Sequence, residues 1–319
     1  MLDLQSTGGD AVRLDVAIAA IKGSRDYQED TVLSGFALGQ SSGFAVVADG
    51  VGGHSAGDVA SAIVATEMFC QIKLHESALN VGLARAGTVL RDAAEAANRR
   101  LAAHVAAHED TFGMASTVLV PMIRNHKLTW LSIGDSPLFL FRAGALRQLN
   151  KDHSMAPQID MMVKVGSMSA EVGRNHPDRN MLTSVLDGTT IAAIDCPQAP
   201  LSLLPGDTII AATDGLQSLP NRTIANTLMP LQDASSVEVG VALLDALTTI
   251  ADPEQDNTAF VVIKLQLVDA EPAALDADAL PILAMADDGQ DSIADTEDQA
   301  AAPDQRKAYW YRGQKYFRD

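Results

Sequence analysis

Three apolar runs in this chain each deliver an aspartate into a glycine turn, and no other feature limits the possible folds as much. Asp49 follows Phe44-Ala45-Val46-Val47-Ala48 and opens Gly50-Val51-Gly52-Gly53-His54; Asp135 follows Leu131-Ser132-Ile133-Gly134; Asp214 follows Ile209-Ile210-Ala211-Ala212-Thr213 and precedes Gly215. One Asp-Gly pair by itself marks a turn. A carboxylate leaving a buried strand is costly unless something neutralises it, and the usual partner of convergent carboxylates without basic neighbours is a hard divalent cation. Glu29-Asp30 and Asp256-Asn257 add further oxygen donors next to apolar runs.

The surrounding pattern mixes strands and helices. Val12–Ile21, Gly43–Ala48, Ser116–Val120, Lys127–Ile133, Pro137–Phe141, Asp207–Ala212 and Ala259–Leu265 are short β-branched or alternating runs bounded by turn residues, which predicts strands. Helical spacing joins Val59, Ile63 and Met68, and then Val89, Ala93, Ala97, Leu101 and Val105, so two long helices are expected between Ala56 and His108. Strands cluster before and after the helices without strict alternation. The expected class is therefore α+β, a layered domain and not a doubly wound parallel sheet.

Charge narrows the partners. Lys and Arg number 23 against 41 Asp and Glu, a net charge of −18, and such a field repels phosphate backbones and anionic lipid. Nucleic acid and membrane are thus not expected partners. No apolar run approaches the roughly 18 residues of a spanning helix, and Met1 to Asp10 lacks the basic and apolar regions of an export signal, so a cytoplasmic location is expected. Cys70 and Cys196 have no disulfide or zinc spacing and are expected to be buried spare thiols. Composition changes near Leu267. Residues 10–267 form the expected domain, 268–305 an acidic disordered linker, and 306–319 a basic and aromatic tail with Arg306, Lys307, Tyr309, Trp310 and Tyr316. That tail has the composition of a docking peptide or of an end that packs on its own domain.

Around each aspartate the local sequence resembles the protein phosphatase 2C family of metal-dependent Ser/Thr phosphatases, in its bacterial form. The matching segments occur in order: Gly23-Ser24-Arg25-Asp26-Tyr27-Gln28-Glu29-Asp30; Ala48-Asp49-Gly50-Val51-Gly52-Gly53-His54 with Ala56-Gly57-Asp58; Ile133-Gly134-Asp135-Ser136 with Asp152-His153-Ser154; His176-Pro177-Asp178-Arg179-Asn180-Met181-Leu182-Thr183; Thr213-Asp214-Gly215-Leu216; and Asp256-Asn257. The resemblance implies a four-layer αββα sandwich of two antiparallel sheets flanked by helices, with a metal centre at one end. It implies two Mn²⁺ or Mg²⁺ ions bridged by Asp49, with the Gly50 carbonyl on one and Asp214 and Asp256 on the other. Glu29 and Asp30 would act through waters, and Asp135 with Asp214 would hold a third ion. Arg25 matches the phosphate-binding arginine, whose planar fork suits two phosphate oxygens.

The implied reaction is direct attack of a metal-bridging hydroxide on phosphoserine or phosphothreonine, with no covalent phosphoenzyme. Phosphorylated proteins would be the substrates of a monomeric enzyme opposing a Ser/Thr kinase. His54 is the candidate for substrate positioning or leaving-group protonation, because Val51 stands where animal members have a histidine. Gln28, Ala115, Pro137 and Ser184 depart from the family pattern and bear on packing and substrate contacts, while every implied ligand is present. Met155–Arg174 corresponds to a flap beside the site, and the helical spacing of Met155, Ile159 and Met162 there suits either simple core or a mobile lid. His104 and His108, four apart, lack a zinc-protease glutamate and read as a solvated helix face. The alternative function is a catalytically weak module of the same fold that binds phosphoproteins or kinases.

Overall fold

A computed structural model describes residues 11–37, 41–52, 56–76, 79 and 83–268, and the backbone of 307–311 and 314–318. Its strands are β1 (Ala11–Ile21), β2 (Asp30–Ser34), β3 (Gly43–Val51), β4 (Ala115–Ser116), β5 (Val118–Arg124), β6 (Lys127–Ile133), β7 (Leu138–Arg142), β8 (Ala145–Gln148), β9 (Leu201–Ser202), β10 (Thr208–Ala212), β11 (Thr258–Val268), β12 (Lys307–Tyr311) and β13 (Gln314–Arg318). The helices are α1 (Gly57–Leu74), α2 (Ala86–Ala107), α3 (Ala156–Lys164), α4 (Ala170–Arg174), α5 (Asn221–Leu228) and α6 (Ser236–Ile250).

Two-residue periodicity builds the layers. Along β3, Phe44, Val46 and Ala48 join the core under α1 and α2, whereas Ala45 and Val47 join the core between the sheets. The same division recurs on β10 and β11. Ile210, Ala212, Phe260 and Val262 pack towards α5 and α6, while Ile209, Ala211, Val261 and Ile263 face the other sheet. Strands buried on both faces read as continuous apolar runs, which is why these segments are so hydrophobic. The result is the expected αββα sandwich: one sheet in the order β2-β3-β5-β6-β9, with β4 also on β3, and one in the order β13-β12-β1-β11-β10-β7-β8, all neighbours antiparallel.

Antiparallel pairing brings the ends of β1, β3, β6 and β10 and the starts of β2 and β11 to one edge of the sandwich. Every described candidate residue sits there. The expected strand over Ser116–Val120 is divided into β4 and β5 at Thr117. Short β2, β8 and β9 were not among the expected strands; they are added by pairing with longer neighbours.

Both long helices form as expected, with α1 burying Ala60, Val64, Ala65, Met68 and Ile72 and α2 burying Leu90, Ala93, Ala94, Ala97 and Leu101. Val59 and Ile63 lie at the half-buried margin of the α1 stripe. Cys70 falls on the opposite side of α1 and is exposed, and Cys196 is half-buried, so the expectation of buried thiols is corrected. His104 and His108 stack with ring centroids 4.1 Å apart, and His108 is exposed. The acidic segment 269–306 lies outside the described residues. The backbone of the terminal segment forms a β12–β13 hairpin that joins β1 through the register pair Ile18 and Trp310, extending the molecule's own sheet. Among the described residues, no helix is long and apolar enough to cross a membrane.

Candidate metal centre

Asp49 lies near the end of β3, between two neighbours that hold it in register. On one side it pairs with Asp30, the first residue of β2; on the other it meets Thr117. The Thr117 amide donates to the Asp49 carbonyl at 2.9 Å, and the Asp49 amide donates to the Thr117 hydroxyl at 3.1 Å. Ser116 donates its hydroxyl to the Thr117 carbonyl at 2.8 Å. Opposite Asp49 one backbone bond is kept and the Thr117 hydroxyl takes the place of a carbonyl as the second acceptor, an irregular pairing at the point where β4 and β5 are divided.

Asp30 is tied to the second sheet. Thr213, at the end of β10, donates its hydroxyl to Asp30 Oδ2 at 2.8 Å and accepts from the Ala259 amide at 2.9 Å. Gln28, a departure from the family pattern, accepts the Asp30 amide at 3.0 Å and closes the turn locally. Asn257 gathers the 22–29 segment: its amide donates to the carbonyls of Lys22 (2.7 Å) and Tyr27 (2.9 Å), and its Oδ1 accepts from Glu29 N–H at 2.7 Å. Gly50 is demanded sterically, because a Cβ there would lie 1.8 Å from the Gly57 carbonyl oxygen where α1 begins. The Glu29 carboxylate lies against Gly57, where an added Cβ would come within 2.4 Å of Oε1, beside a helix N-terminus that favours negative charge.

Arg25, Glu29, Asp49, Gly50, Asp135, Asp214 and Asp256 all line one cavity of about 470 Å³, walled on the far side by Asn180, Met181 and Leu182. A neighbouring cleft of about 380 Å³ shares Asp135, Asp214 and Asp256 and runs to Asp152, Asp160 and Arg179 below α3. Arg179 pairs with Asp160 through two bonds of 2.7 and 3.1 Å, fastening the α3–α4 unit to the 176–182 turn. Within that unit Ile159 is buried and Met155 half-buried while Met161 and Met162 are exposed, so the predicted helix packs on one side through Ile159 alone. Ser184 is buried, donates to the Ala193 carbonyl and is not among the residues lining either cavity. His54 lies outside the described residues.

Electrostatics follow from burying like charges together. Burial pushes the Asp30 carboxyl up to about 7, with the charges of Asp214 and Asp256 adding to the effect and the Thr213 hydrogen bond opposing it. Burial likewise takes Asp135 to about 7, helped by Asp214 and Asp152. Asp49 is raised well above the carboxylate range by burial and then by Asp30, Asp214, Asp135 and Asp256. Asp214 is raised by burial and by Asp256. Glu29 is raised by burial, against the pull of Arg25. Among the described residues, no three carboxylate, imidazole or thiol groups close into a preformed metal cage. What the strand ends assemble is a set of hard oxygen donors whose mutual repulsion a divalent cation would relieve, and that donor chemistry fits Mn²⁺ or Mg²⁺.

Residues 26–258 match the family model described as Protein phosphatase 2C. The chain belongs to the protein phosphatase 2C family. Among its relatives, the Serine/threonine phosphatase stp of Listeria welshimeri is 27% identical over 201 residues, covering 63% of this chain and 77% of that protein. The Serine/threonine protein phosphatase PstP of Mycobacterium tuberculosis is 29% identical over 213 residues, 66% of this chain and 38% of that longer one. The crystal structure of the M. tuberculosis phosphatase PstP/Ppp aligns with a TM-score of 0.64 at 27% identity, over 79% of this chain and 99% of that one. A PstP catalytic domain described in complex with two manganese ions aligns at 0.63 and 25% identity, over 80% and 100%.

Of the residues expected from the sequence, Arg25, Glu29, Asp49, Gly50, Asp135, Asp214 and Asp256 line this cavity of the phosphatase 2C fold, and Asp30 is not among its lining residues. Sequence reasoning named Asn257 as a further oxygen donor and missed its role as a support, along with the supporting hydrogen bonds of Thr117 and Thr213. Thr213 and Asn257 each adjoin a recognised aspartate, and that adjacency was the available signal; Thr117 had none.

Proposed function

We propose that this member of the phosphatase 2C family is a divalent-metal-dependent enzyme that hydrolyses phosphoserine and phosphothreonine on proteins, opposing a Ser/Thr kinase. The observation that carries the reading is the convergence of Asp49, Asp135, Asp214 and Asp256 with Arg25 on one cavity. Asp49, the Gly50 carbonyl, Asp214 and Asp256 would hold two Mn²⁺ or Mg²⁺ ions, Glu29 and Asp30 would act through waters, and Asp135 with Asp214 would hold a third. When bound, such ions supply a water of lowered pKa and offset charge on the transferring phosphoryl group.

The chain's own residues do the rest. Arg25 stands at the rim with its guanidinium half-exposed, in reach of a phosphate entering the cavity, and can present two parallel N–H donors to it. Thr117 and Thr213 hold Asp49 and Asp30 in place, so little reorganisation is needed as charge develops. Asn180, Met181 and Leu182 form the wall against which the phosphorylated side chain would lie. His54 is the candidate proton donor to the leaving oxygen. Phosphorylated proteins of a kinase pathway in the cytoplasm are the partners this chemistry fits, acting on a monomer.

The test is hydrolysis of p-nitrophenyl phosphate and a phosphothreonine peptide with Mn²⁺, Mg²⁺ or EDTA, comparing the parent with Asp49→Ala and Asp214→Ala. Turnover requiring metal and lost in both variants is the expected result. A folded parent that binds metal and turns over neither substrate would favour the binding-module alternative.

A further inference from the structure

The residue expected to bind phosphate and one expected to bind metal are bonded to each other. Arg25 Nη2 donates to Asp256 Oδ2 at 2.7 Å, and the remaining oxygen of Asp256, Oδ1, accepts from the Asn257 amide at 2.8 Å. Both carboxylate oxygens are therefore engaged within the protein. The contact is built in, because the turn that carries Arg25 is docked on the segment that carries Asp256. Ser24 N–H donates to the Gln255 carbonyl at 2.8 Å, and Asn257 holds the carbonyls of Lys22 and Tyr27. Gly23 takes a left-handed φ of 63°, where a Cβ would come within 2.4 Å of the Gln255 oxygen and force the two segments apart.

We propose that Arg25 and a divalent cation compete for the Asp256 carboxylate, so that metal binding is what releases the Arg25 guanidinium to the phosphate. This rests on the metal-centre reading above and adds an order of events to it. A cation taking Asp256 Oδ2 removes the anion that holds Arg25, and Arg25, still anchored by its turn, lines the same cavity as Asp256. Linkage makes the relation reciprocal: whatever the ion pair contributes is subtracted from metal affinity at Asp256. Arg25 is thus a positioning residue in the metal-free protein and a substrate ligand in the loaded one. Side chains that are 53% and 37% exposed place the pair among half-solvated ion pairs, so removing Arg25 should tighten metal binding by about two- to fivefold.

The experiment is calorimetric titration of MnCl₂ into the full chain and into Arg25→Ala, Arg25→Gln, Asp256→Asn and the Arg25→Ala/Asp256→Asn double variant. The expected result is a gain in Mn²⁺ affinity for both Arg25 variants that vanishes in the Asp256→Asn background. An unchanged or weaker affinity in the Arg25 variants overturns the proposal. So does an equal gain in both backgrounds, since the lost positive charge would then act through the field of the whole cluster. A parent that takes up no Mn²⁺ overturns the metal-centre reading itself, a result distinct from either of these.

Discussion

Asp30 and Asp49 stand opposite each other across the β2–β3 pair, two aspartates in direct register at the buried end of a sheet. Like charges in that relationship oppose folding unless protons, hydrogen bonds or cations intervene. Burial raises both carboxyls, each charge disfavours the other's ionisation, and Thr213 supplies a hydroxyl to Asp30 from the second sheet.

A pH dependence follows for the chelated protein. Asp30 and Asp135 titrate at about 7 in the fold and have an ordinary value of 3.8, so in between the folded state binds more protons than the unfolded one. Their contribution favours the fold on the acid side of that window and is lost as pH rises through about 7. In EDTA the melting temperature should therefore fall from about pH 5 to about pH 8, and saturating Mn²⁺ should remove or reverse the trend, since metal and proton compete for the same oxygens. A melting temperature that climbs over this range in EDTA would contradict the assignment.

Replacing Thr213 with Val removes the hydroxyl that serves Asp30 and the Ala259 amide. A hydrogen bond to a charged group contributes about 1.5–3 kcal/mol, and supports of metal ligands typically change metal affinity by about 10–100-fold. Thr213→Val should lower stability within that range in urea titrations and weaken Mn²⁺ binding measured by calorimetry. Stability and affinity both at the parent's level would show that Thr213 does not hold Asp30.

Gly50→Ala should be far more disruptive than its size suggests. The new Cβ would lie 1.8 Å from the Gly57 oxygen and 2.8 Å from the Glu29 oxygen, so α1 or the 22–29 turn must shift. Overpacking of this kind costs about 1–3 kcal/mol or more. Gly87→Ala, on α2, meets only the Cys196 sulfur at 3.5 Å and should be neutral or stabilising, by up to about 1 kcal/mol from helix propensity. Paired thermal melts would check the contrast.

Ending the chain after Val268 tests the expected domain boundary at residue 267. β1 keeps its eleven-residue pairing with β11 in such a truncation and loses its β12 neighbour, which pairs with it at Ile18. The shortened protein should stay folded and retain turnover of p-nitrophenyl phosphate, with a larger change on a protein substrate if the basic-aromatic end docks there. Equal changes on both substrates would remove any role for that end in recognition.

Much of this was legible in the residues themselves. Continuous apolar runs in Phe44–Ala48 and Ile209–Ala212 determined strands buried on both faces, the stripes of α1 and α2 determined two helices, and three strand ends that deliver an aspartate beside a glycine pointed to the oxygens that converge. Those are local properties: each follows from side chains a few positions apart and from the geometry of one strand or one helix. The bonds that set the site's electrostatics are of another kind. Thr117 reaches Asp49 across 68 residues, Thr213 reaches Asp30 across 183, and Arg25 reaches Asp256 across 231. No periodicity encodes such pairs. They exist because antiparallel pairing and the stacking of two sheets bring strand ends from distant parts of the chain to one edge. The sequence by itself determined which groups the site contains; only the tertiary structure decided which of them hold one another.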